Sequence, residues 1–375
     1  MSDIFKKIRL SIFVPMLLLN LIGVIAISST SIHTKAAGNY AEKQIGFIFF
    51  SFLVAIIIVA IPFEFFKKFA YVFYVFGIGL LIYVALFGKV VNGAKGWISL
   101  GAGLPNLQPS EFMKYFLVLA LARYLMHQES YHRWRDLLIP FALSAIPMFF
   151  LLKQPDLGSS MIYMPLLFTL LFALGFRLKK TIFLFFLGST LIFLLWNFTE
   201  KIHSYQKKRV WAFLYPENYL DKEAYQLNAS LKAIGDGGVF GKGYQQGTVH
   251  GFNQLPESHT DFIFAVICED FGLIGGAIVF ALFLFLIFRL MGLLNETKEP
   301  FALCVILGVS IIMFYQVVIS MSVVLGLMPT TGLTLPLISY GGSSVLANYF
   351  GVALAINASN HDVLMVSKSE FSENV

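Results

Sequence analysis

Apolar residues run through this chain in ten long blocks, broken mostly by short polar segments. The blocks fall at roughly 10–30, 45–62, 70–88, 111–126, 137–152, 158–175, 181–198, 262–288, 301–325 and 341–357. About 20 apolar residues cross a bilayer as one helix. The pattern therefore predicts an all-α, polytopic membrane protein with ten transmembrane helices, some short or tilted. Only "KQPDLG" (153–158) separates the fifth block from the sixth. The one long interruption, 199–261, predicts a large loop within a single membrane domain over 1–375.

Composition agrees. The chain is 58% hydrophobic and 13% charged, where soluble domains carry about 25% charged residues. The 40 phenylalanines suit lipid-facing surfaces and equally a genome-wide bias. The first block is longer than a signal-peptide core and lacks a clear cleavage site, so it is read as a retained span. Fourteen Lys and Arg fall in or beside the short loops on one side, among them Arg9, Lys67 and Lys298. The other side's short loops hold five: Lys35, Lys43, Lys89, Lys95 and Lys153. This bias predicts cytoplasmic termini and an extracytoplasmic 199–261 loop. The net charge of +6 is thus a topology signal rather than a nucleic-acid footprint. Cys268 and Cys304 sit inside apolar blocks, which supports neither a disulfide framework nor a cysteine metal site.

Four predicted spans enter from the external side through similar chemistry: "QPSEFMK" (108–114), "QPDLGSS" (154–160), "PESHTDFIF" (256–264) and "SYGGSS" (339–344). One reading is capping, since Ser, Thr and Asp satisfy free N–H groups at helix starts for about 1 kcal/mol each. In "PESHTDFIF", Ser258 or Thr260 would cap and leave Asp261 free. Pro109 suits the first turn of a helix. The other reading is a shared polar site, because the cytoplasmic turns carry only ordinary charged residues. Glu111 and Lys114, three apart, can face each other about one turn inside a span. They read either as a self-paired structural ion pair or as a cation held toward a polar cavity. Converging helix N-termini with Lys114 would suit an anionic headgroup whose lipid tail lies along the spans.

Other motifs fail. "GDGGVFGKG" (235–243) lacks the P-loop pattern, with Gly243 where Ser or Thr belongs. Ser258, His259 and Asp261 are too close in sequence to be read as a triad. His259 alone is weak evidence for metal. Lys207, Lys208 and Arg209 suit a solvated or lipid-headgroup patch better than nucleic acid.

Four blocks together resemble the signatures of the SEDS family (shape, elongation, division and sporulation). They are "GWISLGAGLPNLQPSEFMK", "KQPDLGSS", "GKGYQQGTVHGFNQLPESHTDFIFAVICEDFG" and "GLMPTTGLTLPLISYGGSS", in family order and across almost the whole chain. The 241–262 stretch is more similar to the RodA branch, while "PTTGLTLPLIS" leans toward the FtsW branch. "CEDFG" stands where the family often has Gly-Glu-Glu. The resemblance implies ten spans in the bacterial cytoplasmic membrane and a peptidoglycan glycosyltransferase that polymerises lipid II for elongation and rod shape. It implies a class B penicillin-binding protein as partner, beside lipid II, undecaprenyl diphosphate and membrane lipid. Asp261 takes the catalytic role by resemblance; Glu111, Lys114 and Asp156 are expected in the same cavity.

Transfer from a lipid diphosphate needs a base for the sugar hydroxyl and cations for the leaving group. Candidate substrate-binding residues are Glu111, Lys114, Lys153, Asp156, Arg209, Lys242, His259 and Ser343. A divalent cation, Mg or Mn, is compatible with Asp261 and a diphosphate, but no dedicated cage is visible. A lipid II flippase and a recruiting scaffold are the rivals. A flippase predicts polar groups through the membrane's depth, whereas the charges here cluster toward one side.

Overall fold

A computed structural model describes residues 9–30, 40–91, 94–99, 101, 106–127, 135–154, 156–176, 183, 204–219, 223–249 and 255–372. Nine helices coincide with nine of the ten apolar blocks: α1 (Leu10–Thr30), α2 (Tyr40–Ala60), α3 (Phe63–Phe87), α4 (Pro109–Leu125), α5 (Arg135–Lys153), α6 (Leu157–Ala173), α9 (Ile263–Gly292), α10 (Pro300–Val324) and α11 (Gly342–Ser372). The seventh block, 181–198, lies outside the described residues except for Phe183. Two further helices, α7 (Ser204–Leu214) and α8 (Glu223–Gly237), form inside the long interruption. The fold is all-α apart from a two-stranded antiparallel hairpin, β1 (Lys89–Val91) and β2 (Ala94–Trp97), which the apolar pattern does not predict.

Hydropathy alone does not decide which faces meet, because these helices are apolar on nearly every side. Small residues decide it. Helix α4 lies at the centre, buried along almost its whole length. Gly77 of α3, Gly308 of α10 and Gly351 of α11 all press against it. A Cβ on these glycines would stand 2.5 Å from Met113 Sδ, 2.6 Å from Val118 Cγ1 and 2.1 Å from Tyr115 Cε1, respectively. Close backbone approach is what drives helix association where lipid is as apolar as leucine. Inter-helix hydrogen bonds add to it: Tyr115 donates to Asn348 at 3.0 Å, and Asn20 to Tyr349 at 3.1 Å. Helices α2 and α3 sit outside, exposing Phe49, Phe50, Val75 and Phe76 toward lipid.

Two helices give the bundle its ends. At one end, Ser29 of α1 donates to Asp270 near the start of α9. At the other, Arg9 pairs with Glu296 just beyond α9, and Lys67 pairs with Glu299. The predicted start of the third span, near 70, is too late. Pro62 turns the chain, and buried Phe63 and Phe66 already belong to α3. Lys67 and Lys68 therefore lie within the helix rather than in a loop. Helix α9 is kinked at Gly272, where φ is +69°.

Candidate active site

Asp261 lies in the turn before α9, at the end marked by Asp270. The helix opens at Ile263 behind Phe262, with no side-chain cap. The expectation that Ser258 or Thr260 caps it is therefore corrected. Thr260 turns back instead, its Oγ1 donating to Glu257 Oε2 at 3.1 Å. At the sixth span capping does occur: Asp156 accepts from the Ser159 N–H at 2.9 Å. Pro109 opens α4, as its fixed φ favours.

Around the Asp261 carboxylate the chain assembles groups remote in sequence. Arg209, from α7, donates through Nη1 to the Thr330 carbonyl at 3.1 Å. Gly332 faces the gap, with φ at +75°. A Cβ there would stand 3.6 Å from Asp261 Oδ2 and 3.9 Å from Arg209 Nη1. A side chain at 332 would thus crowd both groups. Burial pushes the Asp261 carboxyl up to about 6, helped by the negative charges of Glu257 and Asp156, while Arg209 and the Thr260 hydroxyl pull it down.

The other sequence candidates fall into distinct settings. His259 stacks on Tyr40 at 4.9 Å between ring centroids. Burial lowers its pKa against the pull of Glu257, so its imidazole is held neutral. Ser343 is a tether, accepting from Gln108 N–H at 3.0 Å and donating to Asn106 C=O at 2.8 Å. Lys153 lies exposed at the end of α5, its Nζ 4.4 Å from the Phe149 ring centroid. Lys242 is held by Asp236 at 3.0 Å and Thr248 at 2.6 Å. It also reaches Glu269, a fully buried acceptor for the Thr248 and Val249 N–H groups.

Glu111 and Lys114 pair at 2.9 Å, and Lys114 is only 1% exposed. Its second partner is Gln316 of α10, at 3.0 Å. The Gln316 amide then donates to the Thr334 carbonyl at 3.3 Å. The pair is enclosed, and it reaches the 330–341 segment through Gln316. Sequence reasoning missed Glu257, Gln316, Thr330 and Gly332. Glu257, Thr330 and Gly332 lie within the signature blocks, but nothing local marks which backbone carbonyl or glycine faces the acid. Among the described residues, no three His, Cys, Asp or Glu side chains stand together as a metal cage.

Fold and site together define a polytopic membrane protein with a half-buried, charge-bearing site at one end of its bundle. Residues 9–363 match the FtsW/RodA/SpoVE family, described as cell cycle proteins. The chain is 33% identical to the probable peptidoglycan glycosyltransferase FtsW of Saccharophagus degradans, over 96% of this chain and 95% of that one. It is 32% identical to the peptidoglycan glycosyltransferase MrdB of Escherichia coli K12, over 95% of each. A solved structure described as "Structural coordination of polymerization and crosslinking by a peptidoglycan synthase complex" superposes with a TM-score of 0.76 at 29% identity, covering 92% of this chain and 96% of that one. The chain belongs to the FtsW/RodA/SpoVE family, the SEDS proteins, and is a multi-pass protein of the bacterial cytoplasmic membrane.

Proposed function

We infer that this protein is a peptidoglycan glycosyltransferase that polymerises lipid II at the outer face of the membrane, with Asp261 as its general base. The observation that carries the assignment of Asp261 is its setting. The carboxyl is raised to about 6, near the pH at which a base must work, and a guanidinium stands beside it. The relatives' names supply the reaction class.

In the step proposed, an acceptor sugar hydroxyl attacks the anomeric carbon of the lipid-linked donor. A new C–O bond forms, the bond to the diphosphate breaks, and the hydroxyl proton passes to Asp261. Arg209 stands where it can meet the negative charge of the departing undecaprenyl diphosphate. Asp156 adds negative charge that favours a protonated Asp261 once the proton has moved. Glu111 and Lys114 support the site from behind through Gln316. Lys242, His259 and Ser343 are read as holding loops around it rather than touching the diphosphate, while Lys153 lies exposed against Phe149 of its own helix.

The positive-inside bias supports the outward orientation. Arg9 and Lys67 mark the end of the bundle opposite Asp261. The 241–262 stretch favours the elongation role, and a class B penicillin-binding protein is the proposed crosslinking partner. Purified protein given fluorescent lipid II, with and without that partner, tests the chemistry. Wild type is expected to yield glycan ladders and Asp261→Asn none, with its fold and partner binding intact. Full polymerisation by Asp261→Asn would sink the assignment, and lipid movement without ladders would favour a flippase.

A further inference from the structure

We propose that Gln44 is a positioning residue for glycosyl transfer, holding the 335–341 turn of the chain against the segment that carries Asp261. The proposal rests on the reading of Asp261 as the base. Gln44 is on the second turn of α2 and fully buried. Its Nε2 donates to the Ser339 carbonyl at 3.1 Å, and its Oε1 accepts from the Gly341 N–H at 3.2 Å. One amide thus spans both sides of residue 340, and the facing carbonyl and N–H fix which way the amide points.

The turn passes this hold directly to the acid's backbone. Ser339 Oγ donates to the Thr260 carbonyl at 2.7 Å and accepts from the Leu335 N–H at 2.8 Å. The Tyr340 N–H donates to the His259 carbonyl at 2.9 Å. Tyr40, one helical turn before Gln44, stacks on His259 itself. Residues 259 and 260 are therefore bonded through the turn, and Asp261 is the next residue.

The turn needs such a hold because it is strained. Leu337 is buried with φ at +64°, a conformation that a residue with a Cβ adopts only under strain. From the other side α1 closes in, leaving no room for a Cβ at Gly23, which would stand 2.5 Å from the Ile338 carbonyl oxygen. A buried glutamine in a membrane helix needs hydrogen bonds in any case. What separates positioning from mere satisfaction is its effect on the transfer step. A misplacement of about 1 Å can cost a reaction on the order of 100-fold.

The test uses the purified full-length protein and fluorescent lipid II. It compares Gln44→Met, Gln44→Glu and Asp261→Asn with wild type for kcat, KM, pH profile and melting temperature. Gln44→Met is expected to lower kcat by about 10- to 100-fold with KM within about twofold of wild type. The acidic limb of its pH profile should move, because the surroundings of Asp261 change. Gln44→Glu keeps an acceptor for Gly341 and loses the donor to Ser339, so an intermediate kcat is expected. Unchanged kcat, a rise in KM alone, or activity lost only in step with melting temperature in both variants would overturn the proposal. An active Asp261→Asn would mean that the base is misassigned. An inactive Asp261→Asn beside normal Gln44 variants would mean that only the positioning role fails.

Discussion

Asp261 shows what one carboxylate contributes and what it costs. Its folded pKa, about 6, lies above its ordinary value of 3.8. A base accepts a proton only when ionised, so turnover should climb as pH rises through about 6 and level off above it. The sign for stability is the reverse. A raised folded pKa gives stability that is full below the unfolded value and lost as pH rises through the folded one. Ionised Asp261 therefore opposes folding at neutral pH. Asp261→Asn should melt no lower than wild type at pH 7 while making no glycan, and scanning calorimetry in detergent beside a polymerisation assay would check both. The sequence brings Asp261 forward by resemblance, but its environment could not be read there. Arg209 precedes it by some fifty residues, Gly332 follows it by two spans, and only packing brings the three together.

At the scale of elements, α4 carries the clearest test. Glu111 and Lys114 could be seen as a pair from their spacing, and the structure keeps them as one. What spacing could not supply was the third partner, Gln316, because no pattern in α4 identifies the helix that faces it. Removing one member of a buried pair strands the other, at a cost of about 3–5 kcal/mol. Lys114→Met alone should therefore lower the melting temperature more than Lys114→Met combined with Glu111→Leu. Both should lose activity, since each breaks the link through Gln316 to the Thr334 carbonyl. The spans themselves were legible because their signal is simply the length of an apolar run. Their packing faces were not, since lipid-facing and buried residues are equally apolar. Gly77, Gly308 and Gly351 mark the contacts only once the helices are set side by side.

Across the whole molecule, polarity runs along the bundle axis. Charged pairs close one end and the candidate site occupies the other, with α1 and α9 joining them. The Lys and Arg bias anticipated this division from sequence alone. It had no means of anticipating how widely the parts of the site are scattered along the chain. Gln44 bonds residues almost three hundred positions later, and Arg209 bonds a carbonyl more than a hundred positions on. The 330–341 segment that receives these bonds is therefore a keystone in time as well as in space. A ribosome feeding this chain into the membrane delivers Asp261 well before the segment that positions it. The half-made protein holds its acid without the Gln44 and Ser339 bonds, so the site is assembled only as the last helices arrive.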